Sequence, residues 1–137
     1  MFTYSRKVHY HETDKMGITH HSNYIRWMEE ARIEFLDHIG CSYARMEDEG
    51  VVSPVIGVRC EYKRSTTFDD TVDVEVSLKK YNGVKLTIGY VMKNAADGST
   101  VFIGESDHCF TTAAGKPIAV RRRFPAYDEV FIKLANE

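Results

Sequence analysis

Hydrophobic and polar positions along the 137-residue chain fall into two periods. Tyr24, Trp27, Met28, Ala31, Phe35 and Ile39 recur at three- and four-residue steps, the stripe of one long amphipathic helix. Ile25, Arg32 and Leu36 add a second, mixed row, so the helix is expected to be covered around much of its girth. Arg26, Glu29, Glu30, Glu34 and Asp37 complete its wet side. Ser22 is the expected N-cap, and Gly40 stands where a left-handed residue closes a helix. A short second helix is expected within Cys41 to Glu49.

After Val51 the period drops to two. Val58, Cys60 and Tyr62 alternate with Arg59, Glu61 and Lys63. Val72, Val74, Val76 and Leu78 alternate with Asp73, Glu75, Ser77 and Lys79. Val84, Leu86, Ile88, Tyr90 and Met92 alternate in the same way with residues that include Lys85, Thr87 and Lys93. This is the spacing of half-buried antiparallel strands. Asn82-Gly83 marks a hairpin, and Asp97-Gly98 marks a second turn. Residues 99–112 predict a last long strand. Gly115-Lys116-Pro117 then turns the chain, and Pro125 to Leu134 predicts a short helix with proline at its start. Ahead of the long helix, Phe2, Tyr4, Val8 and Tyr10 predict a first strand over residues 2–11, followed by a loop over 12–21.

Strand, long helix and four further strands leave one sheet on which the helix can bury its stripe. The expectation is an α+β chain, one domain over residues 1–137, with an antiparallel sheet wrapped around a helix. Val91, Val101 and Ile103 are expected on the outer sheet face, where they point to sheet-to-sheet pairing in an oligomer.

Composition narrows the function. The formal net charge of −2 gives no basic field for nucleic acid, and the triplet Arg121-Arg122-Arg123 is too short to supply one. No apolar run is long enough for a membrane span, and Met1 to Lys7 lacks the apolar stretch of a secretory signal. Cys41, Cys60 and Cys109 are odd in number and form no Cys-x-x-Cys pair, which suits free thiols in a reducing cytoplasm.

The polar segment before the helix holds the candidate chemistry: Asp14, Gly17, His20, His21, Ser22 and Asn23. The first N–H groups of a helix and its positive dipole end favour negative charge. From the residues alone, Asp14 reads first as a loop aspartate capping a turn, and His21 can be a surface histidine near a cap. His9, His11, Asp14, His20 and His21 place five potential ligands within thirteen residues. Their spacing fits no familiar zinc pattern, so no metal is expected.

The run Tyr10-His11-Glu12-Thr13-Asp14-Lys15-Met16-Gly17-Ile18, then His21, Asn23-Tyr24 and Glu30-Ala31-Arg32, resembles the 4-hydroxybenzoyl-CoA thioesterase family of hotdog-fold proteins. The likeness is strongest to its YbgC-like acyl-CoA thioesterases, and it continues through Tyr62-Lys63 and Phe68-Asp69-Asp70. The resemblance implies a hotdog fold: about five antiparallel strands around a long central helix, working as a homodimer or homotetramer. It implies hydrolysis of an acyl-CoA thioester, with Asp14 as nucleophile or general base. The backbone N–H at His21 would polarise the carbonyl, and the imidazole would orient the substrate or move a proton. Tyr10 would lie near the pocket or in the core, Gly17 would shape the loop, and Asn23 would organise it. Lys63, Arg64 and Lys85, with the arginine triplet, are the candidates for the CoA phosphates.

No cofactor or metal is implied, coenzyme A being part of the substrate; acyl carrier protein is the other conceivable carrier. Glu29, Glu30 and Arg32 read as structural. Tyr24, Trp27 and Tyr43 suit an aromatic acyl pocket or the core. Two alternatives stand beside hydrolysis: a non-hydrolytic module binding acyl-CoA or acyl carrier protein, and a hydratase acting on an enoyl thioester.

Overall fold

The computed structural model describes residues 2–137. Strand β1 (Phe2–Lys7) leads through one 3₁₀ turn (Tyr10–Glu12) to helix α1 (Ser22–His38). A short helix α2 (Tyr43–Asp48) and a two-residue strand β2 (Val51–Val52) follow. Four strands come next: β3 (Val55–Tyr62), β4 (Thr71–Tyr81), β5 (Lys85–Asn94) and β6 (Thr100–Cys109). A two-residue strand β7 (Thr111–Thr112), a turn of helix α3 (Val120–Arg123) and helix α4 (Pro125–Ala135) complete the chain. The main sheet has the order β1-β4-β5-β6-β3, antiparallel throughout, and β2 pairs with β7 in a small second sheet.

The sheet curls around α1. Val72, Val74, Val76, Ile88, Tyr90, Met92 and Phe102 alternate along β4, β5 and β6 and meet Trp27, Met28, Ala31 and Phe35 of the helix in one buried core. Trp27 and Ala31 are fully buried. Burying side chains of this size contributes about 2–3 kcal/mol each, more than any surface pair here can supply. This is the helix-wrapping sheet that the two periods predict, and the hotdog arrangement that the family resemblance implies.

Several boundaries differ from the sequence reading. The first strand ends at Lys7 rather than running to residue 11, because the Glu12 side chain folds back onto the His9 N–H and closes the 3₁₀ turn. Helix α1 starts at Ser22, not after it: His21 is the N-cap, and no side chain caps the helix there. The Ser22 hydroxyl is taken instead by His20 Nδ1 at 2.9 Å and by Arg26 Nη1 at 2.9 Å. Gly40 closes the helix as expected, with φ +81°. Its N–H reaches Asp37 O and that of Cys41 reaches Leu36 O, a Schellman closure. The expected last strand, residues 99–112, breaks at Phe110 into β6 and β7.

Val101 is a clear correction. It is not on the outer face but in the core, 1% exposed. The β5–β6 register slips between Met92 and Lys93, leaving Val101 as the extra residue of a bulge, so it turns inward beside Phe102. The outer face is mostly polar where β3 meets β6: Arg59 holds both Glu105 and Asp107, and the Thr87 hydroxyl donates to Asp107 Oδ1.

Strand β3 is an edge, and α1 meets its inner face at Tyr62, whose ring packs on Tyr24, while much of its apolar surface stays open. Val55, Ile56, Val58 and Tyr62 are all 40–50% exposed. An open strand edge flanked by apolar side chains invites pairing with another strand.

Candidate active site

The loop before α1 is held by a buried carboxylate. Glu12, 5% exposed, accepts from Arg6 Nη1 at 2.5 Å, from Trp27 Nε1 at 2.9 Å and from the His9 N–H at 2.7 Å. The Arg6 guanidinium also lies over the Trp27 ring, 5.0 Å from its centroid. A buried charge survives only when it is paired and hydrogen-bonded, and this one is both. The Glu12 backbone carbonyl accepts from the His20 N–H at 2.8 Å and from Asn23 Nδ2 at 2.9 Å. One residue thus ties the end of β1, the loop and the first turn of α1 together.

A second clasp lies on the other side. Thr66, 2% exposed, shares its hydroxyl with Thr19 Oγ1 at 2.6 Å and with Tyr24 OH at 3.0 Å, while its carbonyl accepts from the Thr19 N–H. It fastens the segment after β3 to the loop. Sequence reasoning missed Glu12, Thr66 and Arg6 as organisers. A buried tryptophan at position 27, whose indole N–H needs an acceptor, was the available signal for Glu12.

Between these clasps the loop turns at Asp14–Gly17. The Gly17 N–H donates to Asp14 O at 3.0 Å, and Asp14 Oδ1 accepts from the Met16 N–H at 2.8 Å. Gly17 has φ +80°, which a side chain resists, so its shaping role has a backbone cause. The second Asp14 carboxylate oxygen makes no hydrogen bond among the described residues. Asp14 is therefore a turn-capping residue with one oxygen left for other work.

At the helix start, the His21 N–H has no acceptor among the described residues, whereas its carbonyl accepts from Tyr62 OH at 3.3 Å. The His20 and His21 rings stack at 4.4 Å, and Tyr62 meets the His21 ring edge-on at 6.2 Å. Burial raises the Tyr62 phenol pKa above its ordinary value, so this donor stays protonated. Asp14 and His21 open onto different faces. Asp14 lies in a depression of about 770 Å³ with His9, His11, His20 and Asn23. His21 lies in one of about 260 Å³ with Tyr24, Tyr62, Lys63 and Arg64.

The remaining candidates separate. Lys63 and Arg64 stand beside His21. Lys85 does not. Tyr62 pairs with Phe102 and Phe102 with Met92, and Lys85 lies seven residues further along β5, about 23 Å away. The arginine triplet lies at that same far end, since the Val120 N–H bonds to Gly83 O in the β4–β5 turn. Tyr10 is 76% exposed and leans edge-on against Phe68, so it is not core. Tyr24 and Trp27 are core residues. Tyr43 is a half-buried anchor whose hydroxyl accepts from the Ser53 N–H. Of the five potential metal ligands, His9 packs against His11 and His20 against His21, and no group of three converges among the described residues.

A helix-wrapping antiparallel sheet, with a carboxylate-bearing loop clasped to the helix start, defines a class. The chain belongs to the thioesterase-like superfamily, whose family model matches residues 8–132. It is a thioester hydrolase of the hotdog class. Among its relatives is YneP of Bacillus subtilis (strain 168), for which acyl-CoA thioesterase is a provisional name. The two are 35% identical over 127 residues, 93% of this chain and 92% of that one. The acyl-CoA thioester hydrolase YbgC of Escherichia coli O6:H1 is 27% identical over 95 residues, 69% of this chain and 71% of that one. Among solved structures, a DHNA-CoA thioesterase from Staphylococcus aureus superimposes with a TM-score of 0.94 at 32% identity. That match covers 98% of this chain and 90% of the other.

Proposed function

We propose that the chain hydrolyses acyl-CoA thioesters at the junction of the Asp14 turn and the start of α1. The observation that carries this is the pairing of two free groups on one clasped loop: an Asp14 carboxylate oxygen and the His21 N–H, neither with a partner among the described residues. The N–H stands at the positive end of a 17-residue helix, where an oxyanion is favoured. Asp14 either takes a proton from water or attacks the carbonyl carbon itself. In the first route hydroxide adds to the carbonyl, the oxyanion rests on the His21 N–H, the C–S bond breaks and the thiolate sulfur takes up the proton. The residues need no metal or organic cofactor for this.

Asp14 and His21 face different depressions of one chain, which favours a site completed between two protomers. The uncovered apolar residues of β3 supply a surface for that dimer. Lys63 and Arg64 suit the phosphates of coenzyme A or of the phosphopantetheine arm of acyl carrier protein. The free cysteines suit a reducing cytoplasm, and no helix among the described residues is long and apolar enough to cross a membrane.

Thiol release from a panel of short, long and aromatic acyl-CoAs tests the reading. Steady release with at least one ester supports it. Tight binding without release favours the non-hydrolytic module instead, and loss of enoyl absorbance favours a hydratase.

A further inference from the structure

Strand β3 ends the main sheet and pairs with β6 alone. The Lys63 N–H donates to Val101 O at 2.8 Å, just beyond the pair Tyr62–Phe102. The Cys109 N–H donates to Pro54 O at 3.4 Å, just beyond the pair Val55–His108. In an antiparallel ladder such bonds flank a pair that exchanges none itself. The alternation therefore leaves the N–H and C=O groups of Val58, Cys60 and Tyr62 pointing away from β6, toward the open edge.

The side chains sort with the backbone. Val58 stands opposite Ser106 and Tyr62 opposite Phe102, both buried, so Val58, Cys60 and Tyr62 lie on the helix side of the sheet. Arg59 and Glu61, opposite Glu105 and Ile103, lie on the outer side. The bulge in this strand, at Ile56, falls before the stretch begins.

A second copy of the chain fits this edge. A closed pair of identical chains joins antiparallel edges about a two-fold axis perpendicular to the sheet, so each residue meets one from its own face. The axis can then pass at Val58, Arg59, Cys60 or Glu61. At Arg59, two guanidinium groups meet. At Glu61, two carboxylates meet and Arg59 faces the partner's Lys63. At Val58, the pairing runs into the bulge and sets no opposite charges together. At Cys60, Arg59 faces the partner's Glu61 and Glu61 faces the partner's Arg59, while Val58 and the partner's Tyr62 meet on the helix side. Opposite charges facing across strands stabilise a pair, and like charges destabilise it.

The neighbouring charges agree with that register. Lys63, 3.0 Å from Glu61, comes opposite Gly57, where a Cβ would lie 2.9 Å from Asp107 Oδ2. One chain's Glu61–Lys63 pair thus meets the other's Arg59–Asp107 pair, itself joined at 2.9 Å.

We propose that two copies join antiparallel along β3 about an axis at Cys60, and that the partner's Val58 closes the depression that holds His21 and Tyr62. Within its own chain Val58 is four residues from Tyr62, about 13 Å along the strand, too far to do so. The role of Val58 rests on the thioesterase reading and names what the partner gives that site; the pairing does not depend on it.

Cys60 gives the register a direct readout. Residues facing each other in a hydrogen-bonded pair have Cα atoms about 5.5 Å apart, within reach of a disulfide. Oxidation of the intact protein with copper–phenanthroline in air, in which two thiols give up two protons and two electrons to oxygen, is expected to yield a covalent dimer on a non-reducing gel. The dimer should persist in Cys109→Ser and vanish in Cys60→Ser. In sedimentation, Glu61→Arg should raise the dimer dissociation constant about tenfold, because an arginine then faces the partner's Arg59 at both ends. Val58→Ala should stay dimeric yet lose about tenfold in kcat/KM on the best acyl-CoA. A monomer at micromolar protein, no cross-link through Cys60, or an affinity untouched by Glu61→Arg would overturn the pairing while leaving hydrolysis intact. Unchanged kcat/KM in Val58→Ala would overturn the partner's part in the site. No thiol release from any acyl-CoA would overturn the thioesterase reading, and the cross-link and sedimentation would still decide the pairing.

Discussion

Trp27 Nε1 donates to Glu12 Oε2 across 2.9 Å, and this bond joins the largest fully buried side chain of the helix to the loop that carries Asp14. Glu12→Gln keeps an oxygen for the indole but leaves the Arg6 guanidinium, held mostly out of water, with only the longer 3.4 Å contact to Glu30 as counter-charge. Breaking a buried pair from one side costs on the order of 3 kcal/mol. A urea denaturation curve should show a midpoint lowered to match, and a midpoint within experimental scatter of wild type would refute the role given to Glu12.

Asp14→Asn preserves the acceptor for the Met16 N–H while removing the charge. Hydrolysis of the best acyl-CoA should fall by about a hundredfold or more. The melting temperature should move little, since the turn keeps its bond. Full activity in the asparagine variant would rule out both catalytic routes assigned to Asp14.

Thr66→Val should cost roughly 1–3 kcal/mol, because the buried Thr19 hydroxyl loses a partner and Tyr24 OH is left without one. Combined with Tyr24→Phe, the loss should be less than the sum of the two single changes, because both sever the same bond. Strict additivity in a double-mutant cycle would show that the clasp is not cooperative.

Gly17→Ala tests the turn through the backbone alone. A Cβ at that position meets nothing within 4 Å, so the cost comes from φ +80° and should be about 1 kcal/mol. Circular dichroism melts of the two proteins would measure it.

Stability should also depend on pH through His108. Burial, aided by the Arg32 charge, lowers its pKa from 6.5 to about 3. The folded imidazole therefore stays neutral where the unfolded one takes up a proton. Its contribution is complete above pH 6.5 and fades as pH falls from there toward 3. His108→Phe should flatten this part of a plot of unfolding free energy against pH. An equal slope in both proteins would place the titrating group elsewhere.

The fold was largely legible because its two periods are distinct. A three-to-four-residue stripe cannot be read as a strand, and Val72 to Leu78 of β4 alternates cleanly. Features carried by a single residue against its pattern were not legible. Val101 reads as an outward position, and only the register slip beside it turns it inward. Ser22 has the chemistry of an N-cap, but His20 and Arg26 compete for its hydroxyl. Glu12 looks like any loop acid until the indole and guanidinium that meet it are folded against it.

The candidate site was legible as a segment but not as a geometry. Asp14 lies in one depression at the helix start, and His21, Lys63 and Arg64 lie together in another. Lys85 was placed there by its charge, although it follows the Asn82-Gly83 turn and so belongs at the end of the sheet away from Tyr62. Arg32 was read as structural because an arginine on a helix usually finds water or an acid. Its burial without an acid partner is visible only once Tyr43 of α2 folds against its guanidinium.

The uncovered β3 edge carries one last consequence, for how the protein behaves on dilution. If two chains meet along it, specific activity becomes a function of protein concentration, falling below the dissociation constant of the pair although every chain remains folded. Assays run at nanomolar protein would then report assembly as much as chemistry, and a weak rate measured there would say little about Asp14.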